Sequence, residues 1–97
     1  MKKKTTRKKA PAVLPVRQWL DENFESLILM DGYDDCITGV VHRFGQHPIV
    51  CYDKAKVIQR HMDDGMTYEE AEEFFQFNQI GAWVGDTTPC FLQKPGE

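Results

Sequence analysis

The sequence predicts a small α+β domain, a three-stranded antiparallel sheet covered by about three helices in the order α-β-β-α-α-β. Three observations carry that reading. Apolar residues recur at three- and four-residue steps in three stretches. Two β-rich runs flank a Gly/Pro turn. Start and stop signals bracket the helical stretches. The chain has 97 residues, which is the length of one domain.

The first helix is expected over residues 15–29. Pro15 suits a first turn, where its missing N–H costs nothing, and Val16, Trp19, Leu20, Phe24, Leu27 and Ile28 form one apolar stripe. Asp31-Gly32 should end it as a turn. Residues 36–44 and Ile49–Tyr52 read as the two strands of an antiparallel hairpin across Gly45-Gln46-His47-Pro48. Asp53 is a good N-cap for a helix from Lys54 to about Asp63, with Gly65 as its left-handed exit. Thr67-Tyr68-Glu69-Glu70 has the spacing of a capping box and opens a helix through Ala71, Phe74, Phe75, Asn78 and Gln79. Gly81 and Gly85 bracket a turn around Trp83, and residues 88–92 supply the third strand. Trp19, Phe74 and Trp83 are the expected bulky core residues.

Charge divides the chain. Residues 1–10 hold six basic side chains and no acid, a net +6; residues 11–97 hold six basic and fifteen acidic ones, a net −9. Residues 1–12 therefore read as a disordered basic tail, since nothing apolar in them offsets the entropy of ordering, and 13–97 as the single domain. No run of about 18–20 apolar residues suggests a membrane span, and no apolar segment of signal-peptide length follows the basic start, so a cytoplasmic protein is expected. Cys36, Cys51 and Cys90 are odd in number and widely spaced, which fits free thiols rather than a disulfide framework.

No residue set reads as catalytic. His42, His47, His61, Cys36 and Cys51 lie within the hairpin and the next helix, but zinc sites use tighter ligand pairs, so no metal and no cofactor is expected. Neither Cys51 nor Cys90 has the cationic, helix-start context of an activated thiolate. The carboxylate pairs Asp34-Asp35, Asp63-Asp64, Glu69-Glu70 and Glu72-Glu73 read as solvated groups in similar environments, not as an acid and a base with separated pKa values. Gly81-Ala82-Trp83-Val84-Gly85 lacks the pattern of a phosphate-binding loop.

The stretch from Asp34 to Leu92 resembles a family of small uncharacterised proteins of tailed bacteriophages and prophages. Tyr52-Asp53 ahead of a helix, the run Gly65 to Glu72, and above all the block Phe77-Asn78-Gln79-Ile80-Gly81-Ala82-Trp83-Val84-Gly85-Asp86-Thr87-Thr88-Pro89 carry the resemblance. It implies a phage or prophage origin and brings no assigned activity. The chain departs from the family pattern at Val57, where a cysteine is expected, and at Phe44. The basic tail and the first helix lie outside the match.

Two functional classes follow, with a small enzyme of unfamiliar chemistry as a third. The first is a non-enzymatic accessory protein that binds a host or phage protein in the host cytoplasm through an acidic surface, with Glu69, Glu72, Glu73, Phe75 and Trp83 as its contact residues. In the second, Lys2, Lys3, Lys4, Arg7, Lys8 and Lys9 of the tail contact nucleic-acid phosphates, and affinity falls steeply with salt. Trp83 has a competing structural reading, as a core residue between tight turns, and Phe75 another, packed on the first helix.

Overall fold

The structure, a computed structural model, describes residues 15–97. The basic tail expected at residues 1–12, with Lys2, Lys3, Lys4, Arg7, Lys8 and Lys9, lies outside the described residues.

The expected α+β class holds. The chain forms α1 (Val16–Asn23), a 3-10 turn (Asp34–Cys36), β1 (Ile37–Val41), β2 (Ile49–Asp53), α2 (Lys54–Asp63), α3 (Tyr68–Phe75), a π-helical turn (Gln76–Ile80) and β3 (Cys90–Leu92). The sheet order is β1-β2-β3. β1 and β2 pair antiparallel as expected, with Val40 opposite Val50 and an irregularity between Ile37 and Gly39.

Two expectations about the elements need correction. β3 runs parallel to β2, pairing Cys51 with Cys90, Tyr52 with Phe91 and Asp53 with Leu92, so the sheet is mixed rather than antiparallel. The cause is the connection: α2 and α3 return the chain to the end of the sheet where β2 began, the crossover that parallel strands require. The second correction is α1, which stops at Asn23 rather than near residue 29. Phe24 turns extended at φ −139° and ψ 153° while its N–H still donates to the Leu20 carbonyl, and Ser26 sits at φ 60°. Leu27, Leu29 and Met30 then pack on the core as an irregular strap. The Met30 N–H donates to the Tyr52 hydroxyl at 2.7 Å, an anchor that a continuing helix would not supply.

The core gathers Cys36, Val50, Tyr52, Val57, Ile58, Ala71 and Phe75. Strand alternation explains the sheet's share: Val50 and Tyr52 face α2 and α3, and Phe91 joins them from β3. Phe91 meets Phe75 edge-on at 4.9 Å and Tyr52 at 6.0 Å. The aromatics expected in the core are elsewhere: Trp19 is 38% exposed, Phe74 37% and Trp83 71%. α1 buries Leu20 instead of Trp19, and α3 buries Ala71 and Phe75, one turn apart on the face toward α2 and the sheet.

Candidate protein-docking surface

The strongest surface feature begins at the start of α3. Thr67 and Glu70 close a full capping box: the Glu70 N–H donates to Thr67 Oγ1 at 3.2 Å, and the Thr67 N–H to Glu70 Oε1 at 2.8 Å. Glu70 is thereby committed to the helix. Glu72 is also engaged, since Tyr68 donates its hydroxyl to Glu72 Oε2 at 2.9 Å and Lys54 Nζ lies 3.4 Å from the same oxygen. Glu72 pushes the Tyr68 hydroxyl pKa up, first through that hydrogen bond and then through its charge.

That leaves Glu69 and Glu73, both exposed and neither in an ion pair or side-chain hydrogen bond among the described residues. They are four residues apart, so two like charges share one helix face, an arrangement that costs a few tenths of a kcal/mol in an isolated helix. The next residue on that row is Phe77, which the π-helical turn holds 75% exposed. Phe77 and Glu73 border two shallow open grooves. One also touches Tyr68, Glu69 and Gln76; the other Met66, Glu70 and Phe74.

The π-helical turn has a structural origin. It places Gln79 inward, where Gln79 Oε1 lies 3.0 Å from Nε2 of the buried His61. His61 packs edge-on against Phe74 at 4.7 Å and Tyr33 at 6.0 Å. A single widened turn thus puts a polar residue inside and leaves Phe77 and Ile80 outside. Gly81 follows because a Cβ there would lie 3.0 Å from the Phe77 carbonyl oxygen. Beyond it, the Val84 N–H donates to Thr88 Oγ1 at 2.9 Å, and the Thr88 hydroxyl donates to the Gly85 carbonyl, which closes the loop that carries Trp83. Behind the loop is a pocket of about 170 Å³ lined by Ile28, Met30, Ala82, Val84, Pro89 and Phe91. Trp83 itself stands outside that pocket and outside both α3 grooves.

The predicted contact residues therefore separate. Glu69 and Glu73 come together around Phe77, Glu72 is paired with Lys54, and Trp83 is presented on a neighbouring loop. Phe75, 1% exposed, is enclosed by the core rather than presented on the surface, and has Lys54 Nζ 5.4 Å from its ring centre. Phe77 and Ile80 are exposed apolar residues beside this acidic row that the sequence reading does not name as contacts. The spacing carries the distinction, because Phe77 follows Glu73 by four residues on the acidic side while Phe75 follows Ala71 on the apolar side.

The cysteines and histidines take other places. Cys36 is buried in the core and its Sγ lies 3.8 Å from Asp35 Oδ1; burial pushes its thiol pKa up. His42 rests near the Phe24 ring at 6.0 Å. Among the described residues, no group of three or more His, Cys, Asp or Glu side chains converges as a metal site. None of the described helices is long and apolar enough to cross a membrane. Comparison finds no family model, no curated protein and no solved structure similar to this chain.

Proposed function

We propose that this domain is a non-enzymatic protein-binding module, an accessory protein of phage or prophage origin acting in the host cytoplasm, and that its ligand is a basic amphipathic segment of a partner protein. The supporting observation is the exposed Phe77 between grooves edged by the unpaired carboxylates of Glu69 and Glu73. An apolar anchor side chain from the partner would lie beside Phe77, and flanking Lys or Arg would meet the two glutamates. Complementary potential of this kind speeds encounter and selects the partner's register. Two like charges kept adjacent on a helix are relieved when a cation binds between them.

The test uses the full chain and a synthetic helical peptide with leucines at i, i+3 and i+7 and lysines flanking them. Chemical-shift changes should cluster at residues 69–84. Affinity should fall at least about tenfold in both Phe77→Ala and Glu69→Lys/Glu73→Lys, the size expected when a central anchor or a facing charge pair is lost. Equal binding by either variant, or shifts spread over the opposite side of the sheet, sinks the reading.

The second reading, a nucleic-acid-associated module, rests on the six basic side chains within residues 1–10. It predicts binding to short duplex DNA that weakens steeply with salt and is indifferent to Glu69, Glu73 and Phe77. Those two patterns of dependence separate the classes.

A further inference from the structure

Cys51 and Cys90 are far apart in sequence and directly opposite each other in the parallel β2–β3 register. Paired residues in a parallel ladder point to the same side of the sheet, and the neighbouring pair demonstrates it, since Tyr52 and Phe91 meet on the core side. Cys51 and Cys90 thus share the other side, away from Cys36, which belongs to the core cluster. Adjacent strands lie about 4.7–4.9 Å apart, within the roughly 4.4–6.8 Å between Cα atoms that a disulfide spans.

We propose that Cys51 and Cys90 form a reversible dithiol–disulfide couple, oxidised by low-molecular-weight disulfides, with Cys90 as the entry thiol and Cys51 as the resolving one. The division of roles follows from access: Cys90 is partly exposed and Cys51 only 6% exposed. The Cys90 thiolate attacks one sulfur of the disulfide, forms a mixed disulfide and releases one thiol. The Cys51 thiolate then attacks the Cys90 sulfur, which releases the second thiol and closes the bond. Two protein thiols lose two electrons and two protons, and one disulfide becomes two thiols. Burial first, and then the neighbouring Cys90 thiol, push the Cys51 pKa up to about 11. Closure therefore accelerates as pH rises toward that value, because the thiolate is the nucleophile. The bond ties the three-residue β3 to the sheet centre, directly after the loop that carries Trp83.

The experiment exposes the reduced, folded full chain to oxidised glutathione at mildly alkaline pH and follows thiol content and intact mass. The expected product has lost two of its three thiols, has a mass lower by two hydrogens, retains no glutathione, and links the peptides holding Cys51 and Cys90. Dithiothreitol restores it. Cys51→Ser should stop at a stable glutathione adduct on Cys90, and Cys90→Ser should keep Cys51 unmodified. Should either variant unfold, a trivalent phenylarsenical on the wild-type chain replaces it. That reagent bridges two adjacent thiols with loss of water, and is expected to consume Cys51 and Cys90 and spare Cys36. A persistent glutathione adduct on the wild-type chain, a bond involving Cys36, three unreacted thiols, or failure of the arsenical to bridge the pair overturns the proposal.

Discussion

Phe75 and Trp83 differ widely in exposure, 1% against 71%. Phe75 fills the space between α2, α3 and β3, and its loss leaves a cavity that the tight helix pair cannot collapse around. Phe75→Ala should cost about 3–5 kcal/mol in denaturant unfolding, whereas Trp83→Ala should stay within about 0.5 kcal/mol. Equal costs would place Trp83 back in the core. The sequence alone favours the reverse assignment, because Gly81 and Gly85 mark a tight turn in which a bulky Trp83 is expected to be enclosed. What separates them is phase: Ala71 and Phe75 lie on the helix face turned toward the sheet, while Trp83 follows a π-helical turn whose geometry no simple periodicity contains.

At the scale of elements, the local signals were the most legible ones. Asp53 caps α2 through the Lys56 N–H at 3.3 Å, and the Thr67–Glu70 box opens α3 with both of its hydrogen bonds. Such devices involve residues three apart, so they can be read without knowledge of the fold. Thr67→Ala should cost about 1 kcal/mol of stability, and the Thr67→Ala/Glu70→Ala pair should cost less than the sum of the two single changes, because each half of the box orders the other. Additive costs in a double-mutant cycle would mean that the two hydrogen bonds act independently. α1 was the least legible element. Its apolar stripe continues through Leu27 and Ile28, yet the chain leaves the helix after Asn23, and the Tyr52 hydroxyl, distant in sequence, holds the strap that follows.

Across the whole molecule, two carboxylates set the acid side of the stability curve. The Arg17 guanidinium, donating to Asp34 at 2.8 and 3.0 Å, holds that carboxyl below the usual range and ties α1 to the 3-10 turn. Burial alone would raise Asp53, but the Lys56 N–H, the Lys94 ammonium and the Ala55 N–H together hold it low as well. A carboxyl whose folded pKa is depressed contributes stability above its unfolded value of about 3.9, and loses it as pH falls through the folded value. The melting temperature should therefore hold from neutral pH down to about 5 and drop below about 4. Asp53→Asn should flatten that drop more than Asp34→Asn. The Arg17–Asp34 pair is about two-fifths exposed on both sides and screened by solvent, whereas the Asp53 side chain is 9% exposed. A thermal scan series from pH 3 to pH 7 decides it, and equal slopes for wild type and Asp53→Asn would reject the assignment.

By itself, the sequence determined the α+β class, the hairpin, both caps of the crossover helices and the acidic row on α3. The caps and the acidic row depend on residues within about four positions of one another, where backbone geometry alone decides which side chains meet, and the hairpin on two runs joined by one short turn. The tertiary structure decided the direction of β3, the end of α1, the exposure of Trp83 and the meeting of Cys51 with Cys90. Those outcomes turn on contacts between segments distant in sequence, the strap after α1 against Tyr52 and β3 against β2 once α2 and α3 carry the chain back across the sheet. Their free energy comes from packing, which no local pattern in the chain records.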